Sequence, residues 1–217
     1  MVLIKPTALI GLESIIELIS LFATFAIGYA AARIYRLTKE KRYLYFSTAF
    51  LFLTLGFLIR TFINAGIYFG RKDVVEIAIN TPVITIYKAL SLIYLMAMIS
   101  AYLILIILTF KIQDFKLVSL FVIFALVSLV ASYKFYIVFP ILSFLLLLHI
   151  VIYYASQYHQ SKKPVQGWIT FGFIVIAVAQ LAFPFIYYDM QWFVFGTAIQ
   201  LLGYLILLAS LIKVLQK

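Results

Sequence analysis

The sequence contains no cysteine, and this absence excludes disulfide bonds, thiolate metal sites and cysteine nucleophiles. Only two histidines occur among its 217 residues, which argues against a multi-histidine zinc or haem site. The HExxH, GxSxG, Walker and dinucleotide-binding motifs are also absent from the sequence, so hydrolysis and nucleotide chemistry lack their usual residues. We therefore expect a protein that is not an enzyme and that carries no metal or cofactor.

Charged residues are scarce too, at 11% of the chain against about 25% in an average soluble domain. Apolar residues make up 66%, and the mean hydropathy is +1.16. This composition rules out a soluble globular domain, a disordered chain and a disulfide scaffold. It predicts an all-α integral membrane protein that crosses the lipid bilayer of the cell membrane several times. The lack of cysteine and the abundance of lysine, isoleucine and tyrosine are compatible with a thermophilic, archaeal source.

Seven hydrophobic segments follow one another and predict a single seven-helix transmembrane domain over residues 1–217. The predicted helices are residues 8–32, 43–70, 83–110, 117–133, 135–158, 168–189 and 192–215. The fourth segment is the shortest, and its boundary with the fifth is marked only by Ser132, Tyr133 and Lys134. A six-helix arrangement with one broken segment is therefore an alternative. We prefer seven helices because residues 117–158 are about twice as long as one crossing requires.

The distribution of lysine and arginine predicts which side of the bundle faces the cytoplasm. Eleven of these residues fall on one side: Arg33, Arg36, Lys39, Lys41, Arg42, Lys111, Lys116, Lys162, Lys163, Lys213 and Lys217. Four fall on the other side: Lys5, Arg71, Lys72 and Lys134. Since basic connections stay in the cytoplasm, we expect the N-terminus outside and the C-terminus in the cytoplasm. The basic first connection is expected to contact anionic headgroups or to dock a cytoplasmic protein partner, and no nucleic-acid partner is expected.

An internal repeat relates the first three predicted helices to the last three. The segment Tyr94–Ser100 (YLMAMIS) of the third helix parallels Tyr204–Ser210 (YLILLAS) of the seventh. The fourth helix would invert the second triplet, so that both triplets run in the same direction. This pattern predicts a 3+1+3 parallel repeat, an arrangement found in several transporter folds.

Four ionisable residues lie within the predicted helices, where a charge at mid-bilayer costs about 2.5–3.5 kcal/mol. At about 1.5 Å per residue, Glu17 and Arg60 lie roughly 13 Å and 15 Å below the outer surface. Glu13 and Lys88 each lie roughly 7 Å deep. The matched depths predict two ion pairs, Glu17 with Arg60 and Glu13 with Lys88.

Helical spacing places further polar residues on the same faces. The stripe on the first helix contains Glu13, Glu17, Ser20, Thr24 and Gly28, and the stripe on the second contains Gly56, Arg60 and Asn64. Gln180 and Gln200, on the sixth and seventh helices, lie roughly 12–14 Å below the outer surface. If these faces converge, the outer half of the bundle contains a polar cavity formed by Glu13, Glu17, Arg60, Asn64, Lys88, Gln180 and Gln200.

Two interpretations of this cavity are open. In the first it is structural, and the Glu17–Arg60 pair holds two helices together. In the second it is a site for a small molecule, an ion or a lipid, with Arg60 as an anion anchor, because ionisable residues within a membrane are functional candidates by default.

The segment Arg36–Phe50 (RLTKEKRYLYFSTAF), followed by an apolar helix with Gly56 and Arg60, resembles the seven-helix sensory regions of prokaryotic membrane sensors. In those proteins the region precedes a kinase or regulator domain. The sequence ends soon after the seventh helix, so the resemblance implies that a signal passes to a separate partner. The 3+1+3 layout is also similar to that of the SWEET sugar transporters, although neither triplet has a proline-glutamine motif in its first helix.

These features lead to three functional hypotheses. The first is a non-enzymatic, receptor-like or scaffold membrane protein with a polar ligand site in its outer half. The second is a small-solute or ion transporter or channel of 3+1+3 layout. The third is an accessory subunit of a membrane complex.

Overall fold

The computed structural model describes residues 6–69, 82–110, 115–134 and 137–215. Within these ranges the chain forms seven α-helices and one 3₁₀ turn. They are α1 (Pro6–Thr38), α2 (Lys41–Phe69), α3 (Pro82–Phe110), α4 (Phe115–Lys134), α5 (Val138–Ser161), α6 (Pro164–Ala182), the 3₁₀ turn (Phe183–Tyr187) and α7 (Met190–Leu215).

The largest differences from the predicted segments are at the ends of α1 and α6. Helix α1 continues six residues past the predicted end at residue 32, and it ends before Lys39, whose φ is 58°. Helix α6 begins four residues before the predicted start and gives way to the 3₁₀ turn at residue 183. The reason for the early end is Pro184, which has no N–H to donate to the helix.

Six helices form a closed ring in the order α1, α2, α3, α5, α6 and α7, with α7 packed back against α1. Helix α4 lies outside this ring, against α3 and α5. In the described ranges, α1 therefore has α2 and α7 as its main neighbours, and α3 lies on the far side of α2. This order decides which predicted charge pairs can form.

The six ring helices are long and apolar enough to cross a membrane. Helix α4 has a shorter apolar stretch, Val118–Ser132. Large apolar side chains are exposed around the outside, among them Phe22, Phe62 and Val130. Only helices or closed barrels satisfy their backbone hydrogen bonds in lipid, and here the helices supply those bonds. The chain is a helical polytopic membrane protein.

The two ends of the ring differ in charge. The end that holds the α1–α2 and α5–α6 connections carries Arg36, Lys39, Lys41, Lys162 and Lys163, and is called the basic end below. The α6–α7 connection lies at the opposite end. Several of the cations used to predict the orientation lie outside the described residues, namely Lys5, Arg71, Lys72, Lys111 and Lys217.

Aromatic side chains fill the interior of the ring towards the basic end. The rings of Phe46 and Phe50 stack with centroids 4.8 Å apart, and the Phe50 ring meets the Tyr204 ring edge-on at 6.4 Å. Phe173 contacts Phe46 on one side and stacks on Tyr154 on the other, at 5.4 Å. Phe50 and Tyr204 are fully buried. Offset and edge-on packing of this kind stabilises the interior beyond the burial of area alone.

Candidate functional site

The polar stripe predicted for the first helix is buried, and it faces α2. A hydrogen bond from the Thr54 hydroxyl to the Thr24 hydroxyl, 3.1 Å long, joins the two helices near their middle. Nearer the basic end, the Ser47 hydroxyl donates to the carbonyl oxygen of Gly28 at 2.8 Å. Small side chains at such positions let membrane helices approach closely. The charged residues of the stripe, Glu13 and Glu17, lie at the opposite end of the same interface.

Arg60 of α2 contacts both of these carboxylates. Its Nη2 donates to Oε1 of Glu13 at 3.0 Å, and its Nε pairs with Oε1 of Glu17. The Glu13 and Glu17 side chains are 5% and 1% exposed, and the Arg60 side chain is 17% exposed. The two acids are one helical turn apart, so a single branched guanidinium spans them.

Asn64, one turn beyond Arg60 on α2, contacts the same two acids. Its Nδ2 donates to Oε1 of Glu13 at 3.0 Å and to Oε2 of Glu17 at 2.7 Å. Glu13, Glu17, Arg60 and Asn64 are called the charge cluster below. The cluster brings two carboxylates within reach of one amide nitrogen and one guanidinium.

Two aromatic rings also lie against Arg60. Its Cζ lies 4.3 Å from the ring centroid of Phe193 in α7 and 5.0 Å from that of Tyr94 in α3. A cation over an aromatic face is stabilised by about 2 kcal/mol or more when it is desolvated. Neither ring is among the site residues that the sequence predicts. With aromatics at 18% of the chain, composition alone gives no reason to select these two.

A narrow cavity lies beside the charge cluster, inside the ring. Glu17, Arg60, Gln180 and Gln200 line it, together with Thr197 and several aromatic side chains. Its volume is about 10 Å³, which is the lower limit for holding one water molecule. The predicted convergence of α1, α2, α6 and α7 at one depth is therefore observed. The space between them is far smaller than the roughly 300–1,000 Å³ of a typical small-molecule pocket.

The two glutamines of the cavity differ in their hydrogen bonds. The Nε2 of Gln200 donates to the hydroxyl of Tyr204 at 2.9 Å. Gln180 is 1% exposed, and its Oε1 has no hydrogen-bond partner among the described residues. An unsatisfied buried acceptor costs about 1–3 kcal/mol. Gln180 is thus the residue of the site that most clearly requires a further partner.

The predicted pairing of Glu13 with Lys88 is replaced by the pairing of Glu13 with Arg60. Lys88 is exposed, in the second turn of α3. The physical reason is the order of helices in the ring, because α3 packs on α2 and lies away from α1. The sequence predicts equal depths for Glu13 and Lys88, but these residues are on α1 and α3, which are not neighbours in the ring. Lys88 is the one predicted site residue that the structure does not bring to the cluster or its cavity.

Within the part of the chain that the structure describes, no group of three or more histidine, cysteine, aspartate or glutamate residues is placed to hold a metal ion. In comparisons with protein-family models, with curated proteins and with solved structures, nothing matches this chain.

Proposed function

We propose that the protein is a non-enzymatic, receptor-like or scaffold component of the cell membrane, with a polar site for a small ligand at the charge cluster. The cavity of about 10 Å³ admits a ligand about as large as one water molecule, and it has no room for the lipid headgroup that the sequence also suggested. The placement of this cluster supports the proposal. Its charges are buried in one half of the ring and adjoin a cavity, rather than facing lipid or the bulk water at the surface. Burying charge is costly, and ionisable groups kept within a membrane mark functional sites by default.

The aromatic interior supports a receptor over a channel. Polar side chains line the ring near the charge cluster, whereas Phe46, Phe50 and Phe173 fill it towards the basic end. A transporter or channel requires a polar path or a movable barrier at this level. In a receptor, occupancy of the site alters the packing of α1 on α2 and thereby the basic end.

The proposed orientation has the charge cluster in the outer half and the basic end in the cytoplasm. The basic connections favour it, since lysine and arginine are retained on the cytoplasmic side. At the basic end, Nζ of Lys213 lies 5.4 Å from the ring centroid of Trp168. A lysine beside a tryptophan is typical of a membrane interface. The basic end would then contact anionic lipid headgroups or a cytoplasmic protein partner.

A second candidate function, a small-solute or ion transporter of 3+1+3 layout, is favoured by the position of α4. Because α4 lies outside the ring, the remaining helices divide into the triplets α1–α3 and α5–α7. Parallel triplets joined in this way occur in transporters that alternate access by rocking one half against the other.

Reconstitution into proteoliposomes separates the two candidates. The receptor proposal predicts that entry of radioactive sodium, and of protons followed with an internal dye, equals entry into protein-free liposomes. Flux above that background that is lost in the Arg60→Gln variant would support the transporter and overturn the receptor.

Pulsed electron paramagnetic resonance tests whether the site is coupled to the basic end. The chain has no cysteine, so Arg36→Cys and Ser161→Cys can carry the only two spin labels. In a receptor-like protein, the Glu17→Gln substitution in the cluster should change the distance between the two spin labels. An unchanged distance contradicts the receptor-like proposal and leaves a static scaffold.

A further inference from the structure

The charge cluster contains more negative than positive charge. Glu13 and Glu17 are both buried, and among the described residues Arg60 is the cation that contacts them. Asn64 contributes hydrogen bonds but no charge. With both carboxylates ionised the cluster carries one excess negative charge. An uncompensated charge inside a membrane costs several kcal/mol, so a counter-charge is expected nearby.

The cavity beside the cluster offers a place for that counter-charge. Glu17 and Gln180 both line it, and Oε1 of Gln180 is a buried acceptor without a hydrogen-bond partner among the described residues. An amide oxygen and a carboxylate that line one cavity are the oxygen ligands that hard cations prefer. The volume of about 10 Å³ matches a single water-sized occupant.

We infer that the cavity between Glu17 and Gln180 binds one small monovalent cation, either a sodium ion or a proton carried by the carboxylates or by a water molecule. This inference rests on the proposed function, because it names the ligand class of the same site. A divalent ion fits less well, since it would leave an excess positive charge in the membrane.

Few of the described groups that face Glu13 and Glu17 can gain or lose a proton. Arg60 faces them from α2, and Tyr94 of α3 lies against Arg60. The part of α7 that borders the cavity contributes Thr197 and Gln200, which do not titrate, and Gln180 of α6 does not titrate either. Among the described residues that line the cavity, Glu17 is therefore the group that can take up a proton.

Thermal unfolding in lipid nanodiscs tests the inference, with sodium chloride titrated against choline chloride at constant ionic strength. A ligand that binds only the folded state should raise the apparent Tm by about 3–5 °C for each tenfold increase in its concentration above the dissociation constant. If sodium is the occupant, the sodium titration gives this rise. If a proton is the occupant, the Tm rises as the pH is lowered, and sodium has no effect.

Two variants identify the site. Glu17→Gln removes the excess negative charge, so the sodium or pH response should be lost while the folded state stays stable without the cation. Glu40→Gln is the matched control, because Glu40 lies exposed at the basic end in a pair with Arg42, and its response should equal that of the wild type. The inference is overturned if Glu17→Gln responds to sodium and pH as the wild type does, or if the wild type responds to neither.

A third variant keeps the test informative if Glu17→Gln does not fold. Gln180→Leu removes the amide oxygen, so it should shift a sodium response to higher concentrations and leave a proton response in place. A sodium response that Gln180→Leu leaves unchanged contradicts a sodium site at Gln180. The proposed function is tested separately, by flux and by the distance between the spin labels. If Glu17→Gln changes that distance but neither sodium nor pH changes the Tm, only this inference is overturned.

Discussion

Arg60→Gln is the substitution that separates the charge cluster most sharply from an ordinary surface ion pair. Gln keeps much of the volume of the side chain and some hydrogen-bonding capacity, but it removes the positive charge. In the structure the guanidinium contacts Glu13 and Glu17 together, so its loss leaves two buried carboxylates next to one another.

The expected loss of stability follows from the burial of the two carboxylates and Arg60. Removing one partner of a buried ion pair costs about 3–5 kcal/mol, because the remaining charge is uncompensated. For a chain of this length each kcal/mol lowers the Tm by about 2–4 °C, so Arg60→Gln should lower it by about 6–20 °C. Glu17→Gln should lower the Tm far less than Arg60→Gln does, because it leaves Arg60 and Glu13 as a neutral pair.

The assay is thermal unfolding of the purified protein in nanodiscs, followed by loss of the monodisperse peak in size-exclusion chromatography. The matched control is Arg42→Gln. Arg42 pairs with Glu40, but the two side chains are 62% and 48% exposed, and exposed pairs contribute about 0–1 kcal/mol. If Arg60→Gln lowers the Tm no more than Arg42→Gln does, the cluster does not stabilise the fold and this reasoning is refuted.

Two further predictions concern packing and orientation. Gly203→Ala should cost about 1–3 kcal/mol, since its Cβ would lie 3.0 Å from the carbonyl oxygen of Gly172 and would push α7 away from α6. Gly28→Ala, whose Cβ would lie 3.4 Å from its nearest neighbour, should be tolerated, and equal Tm values for the two variants would contradict the close packing. Tyr188→Cys should react with a membrane-impermeant maleimide on intact cells, whereas Ser161→Cys should react only after permeabilisation. The reverse pattern would contradict the proposed orientation.

Much of the candidate site could be predicted because helix geometry is local. Spacings of three and four residues place Glu13, Glu17 and Thr24 on one face wherever the helix packs, and a rise of 1.5 Å per residue gives their relative depth. The same arithmetic brought Gln180 and Gln200 to the level of Arg60. These predictions needed no knowledge of which helices are neighbours.

The rest depends on the order of the helices around the ring, which is a tertiary property. The pairing of Glu13 with Lys88 was wrong because α3 is separated from α1 by α2. The rings of Phe193 and Tyr94 were missed for the same reason, since contact with Arg60 requires α3 and α7 to flank it. The narrowness of the cavity also follows from packing, because aromatic side chains fill most of the space between the polar groups.

A distance measurement in lipid bilayers between the Arg60 guanidinium and the two carboxylates tests whether Arg60 bridges Glu13 and Glu17. Solid-state NMR dipolar recoupling between ¹⁵N-labelled arginine and ¹³C-carboxyl-labelled glutamate provides it, with Glu40→Gln as the background to remove the exposed pair. We expect Cδ of Glu13 and Cδ of Glu17 both to lie within about 4 Å of a guanidinium nitrogen, as direct hydrogen bonding requires. A guanidinium close to only one carboxylate, or to neither, would contradict this expectation.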